Sequence, residues 1–110
     1  MNNQDLKIYM TKGISTINKN ILNFLVSLYF EKNKKLGNNL DYFLMYEVEK
    51  VSENLLLITH SQEDVDENIK AFQDKYYMNI TGSYVEIEDK IKVYSVFEDN
   101  YLTFMLAEEY

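Results

Sequence analysis

The chain closes on Lys90–Tyr110, KIKVYSVFEDNYLTFMLAEEY, and this stretch constrains the fold more than any other. Ile91, Val93 and Ser95 alternate with Lys92, Tyr94 and Val96. Tyr101, Thr103, Met105 and Ala107 alternate with Leu102, Phe104 and Leu106. A period of two residues is that of a strand, whose successive side chains point to opposite faces. Between the two runs stand Glu98, Asp99 and Asn100. Asp and Asn accept positive φ more readily than other non-glycine residues, so a tight hairpin turn is expected at Asp99-Asn100. Pairing two strands so close in sequence costs little loop entropy. A sheet with this hairpin at its centre is the expected core.

The rest of the chain supplies partners for that hairpin. Leu6–Thr11 reads as a short strand, ended by Lys12-Gly13, where a turn with positive φ at Gly13 is expected. Asn18 suits the N-cap of a helix running to about Lys35, with Ile17, Ile21, Phe24, Leu25, Leu28 and Tyr29 as its apolar stripe. Gly37 follows as a C-terminal cap. Asp41–Glu49 alternates as a strand, with Tyr42, Leu44, Tyr46 and Val48 on one face, and turns at Ser52-Glu53-Asn54 into Leu55–His60. Ser61 with Asp64 three residues on fits a capping box, and Val65, Ile69, Phe72 and Tyr76 fit the stripe of a second helix ending near Tyr77. Ser83–Glu88 is a further expected strand, turning at Asp89-Lys90. The expected order is β-α-β-β-α-β-β-β. That makes a single α+β domain over residues 1–110, with a mainly antiparallel sheet of five to six strands and two helices.

Composition excludes several classes. There is no Cys, hence no disulfide framework and no thiolate metal site. The N-terminus lacks a basic-then-apolar signal pattern. The apolar run Ile21–Phe30 is about half a membrane span. A cytoplasmic protein is the expectation, so the sequon Asn79-Ile80-Thr81 carries no meaning. Charge is uneven: residues 1–39 hold six lysines against two acids, and the remainder five lysines against sixteen acids. The only basic cluster, Lys32, Lys34 and Lys35, sits at a helix end, where it complements the helix dipole. Nucleic acid is therefore not the expected partner.

Few residues suggest chemistry. His60 is the only histidine. A Ser-His pair must meet in space, and neighbours on a strand point oppositely, so His60 and Ser61 do not form one. One histidine with scattered carboxylates is poor zinc chemistry. Asp64-x-Asp66-x-Asn68 begins like a calcium loop, but Ile69 stands where Gly is required and Lys75 where Glu is required. No phosphate loop, dinucleotide fingerprint or nucleophile elbow is present. No cofactor, metal ligand set or catalytic group is assigned. There are ten tyrosines, and Tyr42, Tyr46, Tyr84, Tyr94 and Tyr101 on expected strands would suit a protein-binding face where exposed.

Three ordered runs carry a resemblance. They are Tyr9-Met10-Thr11-Lys12-Gly13-Ile14; then Leu40-Asp41-Tyr42 with Ile58-Thr59-His60-Ser61-Gln62-Glu63; then Met105-Leu106-Ala107-Glu108-Glu109-Tyr110. Together they resemble the Firmicute family called domain of unknown function 960. Where that family tends to have Pro after its HSQE run and Trp in its first helix, this chain has Asp64-Val65 and Val26. The resemblance implies no activity. It implies an association with plasmids, phages and other mobile elements, and it points to His60, Gln62, Glu63, Glu108 and Glu109 as candidate binding residues. The leading expectation is a non-enzymatic, acidic accessory protein that binds another protein. The alternatives are a small hydrolase or metal-dependent enzyme built on His60 and nearby carboxylates, and a DNA-mimic anti-defence protein. A homodimer through an edge strand, with Tyr101–Glu109 as that edge, is also expected.

Overall fold

A computed structural model describes residues 6–80 and 90–110. Six strands form one sheet: β1 (Lys7–Met10), β2 (Phe43–Ser52), β3 (Leu55–Gln62), β4 (Phe72–Asn79), β5 (Lys90–Glu98) and β6 (Tyr101–Leu106). One α-helix, α1 (Lys19–Leu36), lies between β1 and β2 in the chain. The sheet order is β1-β6-β5-β2-β3-β4. Every pairing is antiparallel except β1 with β6.

The closing hairpin forms as its alternation requires. Asp99 and Asn100 take φ of 51° and 66°, the left-handed pair of a two-residue turn whose twist matches the strands. Val93, Ser95, Leu102 and Phe104 are buried on one face. Leu44, Tyr46 and Val48 of β2 and Leu56, Ile58 and His60 of β3 continue that face. Helix α1 covers it with Ile21, Leu22, Leu25, Leu28 and Tyr29. Asn18 caps the helix as expected: its side-chain oxygen accepts from the backbone N–H of Asn20 at 2.8 Å and of Ile21 at 3.4 Å. Gly37 ends it at φ 54°, a conformation that costs a residue with a Cβ.

Four expectations are corrected. The second helix does not exist. Residues 63–71 form a loop, and Phe72–Asn79 is β4, so the described residues hold one α-helix. Phe72 and Tyr76 are four residues apart, a spacing in phase with both the helical and the strand period. The inward residue between them is Asp74, whose carboxylate pairs with Lys32 of α1. That inward acid hides the alternation of Phe72, Tyr76 and Met78. Ser61 is consequently a strand residue opposite Met45 and Gln73, not a helix cap. Strand β6 lies between β5 and β1, so Tyr101–Glu109 is not an edge; among the described residues the edges are β1 and β4. Gly13 is αR, with φ −64°, rather than left-handed. The expected strand Ser83–Glu88 lies outside the described residues.

Candidate functional site

Strand alternation divides the HSQE run. His60 and Gln62 point under the helix and are buried, Ser61 points to the other face, and Glu63 is exposed. The imidazole of His60 stacks on the Tyr46 ring, with centroids 4.3 Å apart and planes 10° apart, and meets Phe72 edge-on at 5.2 Å. Its Nδ1 lies 3.2 Å from the Met45 carbonyl oxygen. A carbonyl only accepts, so Nδ1 carries the proton and donates. Nε2 is then an unprotonated acceptor, and among the described residues no hydrogen-bond partner meets it. Burial, aided by the Lys32 cation and opposed by the Met45 bond, pushes the ring's pKa down to about 4. The histidine is neutral at physiological pH, closed off from solvent, and engaged in packing. The neighbouring Tyr46 hydroxyl is 2.9 Å from Ser95 Oγ, and burial pushes its pKa up.

Gln62 is a junction. Its Oε1 accepts from the Asp41 backbone N–H at 2.7 Å. Its Nε2 donates to the carbonyls of Lys70 at 3.0 Å and Asn39 at 3.2 Å. One amide therefore ties together the segment entering β2, the end of β3 and the loop entering β4. Gln62, a candidate binding residue from the resemblance, thus spends its amide on internal bonds. The LDY and HSQE runs meet in space because Gln62 bonds Asp41.

The first and last runs meet in the same way. Residues Ala107–Glu109 form a 3-10 turn after β6. Glu109 Oε1 accepts from Thr11 Oγ1 at 2.6 Å and the Leu106 N–H at 2.9 Å; Oε2 accepts from the Gly13 N–H at 3.1 Å. A Cβ on Gly13 would lie 2.7 Å from Glu109 Oε1. Close approach, and not backbone conformation, is what glycine provides there. The Thr11 and backbone bonds hold the Glu109 carboxyl below the usual carboxylate range. Its share of stability is therefore present above the ordinary carboxylate pKa and lost as pH falls through the lower folded value. Replacing Glu109 with Gln is expected to lower the urea midpoint at pH 7 and Glu108→Ala to leave it unchanged, since Glu108 is exposed and takes no part in these bonds; equal midpoints for both variants would contradict the role of the Glu109 carboxylate.

So the five candidate residues do not converge. Gln62 and Glu109 are internal bonding partners, His60 is sealed in the core, and Glu63 and Glu108 are exposed at separate places. Among the described residues no group of three or more metal-ligating side chains is placed to hold an ion. The acids are likewise dispersed. Asp64 and Asp66 accept backbone N–H groups within the 63–71 loop, and Glu47 lies 3.4 Å from Lys90 Nζ. Of the basic cluster, Lys32 pairs with Asp74 and covers the Phe72 ring at 4.6 Å, while Lys35 pairs with Glu31.

What the structure does bring together is the second face of the sheet. The residues alternating with the buried set point away from α1, and no other helix covers them among the described residues. Tyr9 and Tyr101 are 48% and 43% exposed, with centroids 5.3 Å apart. The Phe43 and Tyr94 rings meet at 4.7 Å, tilted by 55°, and Tyr110 meets both at 5.3 and 5.6 Å. Val96, Thr103 and Met105 lie between these two clusters. Of the five expected strand tyrosines, Tyr46 is core, Tyr94 and Tyr101 belong to this face, Tyr42 is exposed just before β2 and not on it, and Tyr84 lies outside the described residues. Tyr9 and Phe43 join this face, and their alternation with Ile8 and Leu44 is the signal for it in the sequence.

No helix among the described residues is long and apolar enough to cross a membrane. No family model matches the chain, and no curated protein matches it. A crystal structure of a protein of unknown function from Enterococcus faecalis has the same fold, with a TM-score of 0.63 at 17% identity over 96% of this chain and 92% of that one.

Proposed function

We propose that this is a non-enzymatic, cytoplasmic accessory protein that binds another protein through the open face of its sheet. The observation that carries the reading is the aromatic, Met-containing surface that no helix covers among the described residues. Aromatic residues and Met are enriched at protein interfaces, and charges are depleted from interface centres. Contiguous exposed apolar surface rimmed by polar residues marks interaction sites on folded proteins. Sealed burial of His60 argues against the hydrolase alternative, since a general base must come within hydrogen-bond reach of its substrate. An association with mobile elements rests on the three-run resemblance alone.

The test compares variants of the tagged protein in capture from a host-like lysate. Tyr94→Lys alters the open face, and Asn23→Lys alters the exposed side of α1. A stoichiometric partner retained by Asn23→Lys and lost by Tyr94→Lys, with both variants folded by circular dichroism, is the expected result. A partner lost equally from both, or retained by both, would place binding elsewhere.

A further inference from the structure

One depression on the open face has its own chemistry. Its volume is about 440 Å³. Val96, Thr103 and Met105, all half-buried, form the floor. The more exposed rings of Tyr9 and Tyr101, inclined at 54°, form the walls. Glu98 and Asp99 close one end. The tight turn at Asp99-Asn100 fixes where these two acids sit. Lys7 is the neighbour of Tyr101 across the ladder, but it does not line the depression.

Each part of this lining selects for one kind of guest. An apolar floor accommodates a methylene chain. Aromatic faces attract a cation within about 6 Å of the ring centre. Carboxylates at the end of the channel add charge-assisted hydrogen bonds to an ammonium or guanidinium group. A purely apolar guest would desolvate Glu98 and Asp99 without pairing them. An anionic guest would meet them as like charges. The chain's net charge of −7 also favours encounter with a basic partner and disfavours a second copy of itself.

We infer that this depression receives a lysine or arginine side chain presented by a basic segment of a partner protein. The inference rests on the open face being the binding surface, and it specifies what the partner brings to it. The probe is an acetylated, amidated peptide of alternating Lys and Val, titrated into the labelled full chain and followed by NMR. Its counterpart with Glu in place of Lys is the control. The methyl resonances of Val96 and Met105 and the ring resonances of Tyr9 and Tyr101 are expected to shift with the lysine peptide, at least tenfold more tightly than with the glutamate peptide. The preference is expected to weaken at high salt and to fall at least fivefold in Glu98→Gln/Asp99→Asn, which keeps the shape of the turn. Tyr101→Ala is expected to lose the shifts while the remaining spectrum stays dispersed.

Equal binding of both peptides would reduce the depression to an apolar patch and overturn the inference. So would undiminished lysine-peptide binding in the double variant, or shifts confined to the 63–71 loop. Concentration-dependent broadening of the same resonances without peptide would assign the face to a second copy and overturn it as well. Failure on any of these grounds, together with loss of the captured partner in Tyr94→Lys, would remove the cationic guest and leave the protein-binding reading standing.

Discussion

Gln62→Ala is expected to lower the free energy of unfolding by about 3 kcal/mol, more than Ser61→Ala or Glu63→Ala, which should each stay within about 0.5 kcal/mol. Truncation removes one acceptor and two donors at once. It leaves the Asp41 N–H and the Lys70 and Asn39 carbonyls without their protein partner. Leaving a buried polar group unpaired costs about 1–3 kcal/mol, and the three sites are only partly buried, so water recovers some of the loss. Gln62→Glu separates bonding from packing. A carboxylate keeps the size and the acceptor for Asp41, but presents an oxygen to two carbonyl oxygens. It should be nearly as destabilising as Ala at pH 7. Urea midpoints of the four variants test the order. A Gln62→Ala midpoint no lower than that of Glu63→Ala would show that the junction is not held by this amide.

Stability should fall by about 3 kcal/mol between pH 7 and pH 4 on account of His60 alone. The folded pKa, about 4, lies below the ordinary value of 6.5. The unfolded chain therefore takes up a proton that the folded chain refuses. The contribution is complete above about pH 6.5, declines as pH falls, and is exhausted below about pH 4. Glu109 acts in the same direction but lower, because its carboxyl also sits below its ordinary value. His60→Phe keeps the stack between Tyr46 and Phe72 and removes the titration. The difference between wild-type and His60→Phe stability curves should open between pH 6.5 and 4 and stay flat above. Imidazole resonances that titrate near pH 6.5 in the native protein would refute the buried neutral ring.

Local signals settled where they involved one element. The Asp99-Asn100 hairpin, the Asn18 cap, the Gly37 stop and the alternation of β2 all follow from residues within a few positions of each other. Backbone sterics and short-range hydrogen bonds decide such features, and these are written in order along the chain. The stretch 61–79 failed for the opposite reason. Its inward Asp74 is intelligible only beside Lys32, 42 positions earlier in the chain, and without that partner the four-residue spacing of Phe72 and Tyr76 looks helical.

The candidate site shows the same division. The ordered runs marked Gln62 and Glu109 as notable, but their roles are long-range bonds, to Asp41 and to Thr11 and Gly13. Nothing near Glu109 in sequence announces that its carboxylate will hold the first turn of the chain. The sequence by itself determined a mainly antiparallel sheet with a capped helix, because hairpin turns, period and capping are properties of contiguous residues. Only the tertiary structure decided which strands lie inside the sheet and which of its faces the helix covers. It also decided that Tyr9 and Tyr101 share an exposed surface with Glu98 and Asp99. Strand order and face are set by contacts between distant segments, and alternation along one strand is the same whichever neighbour it pairs with.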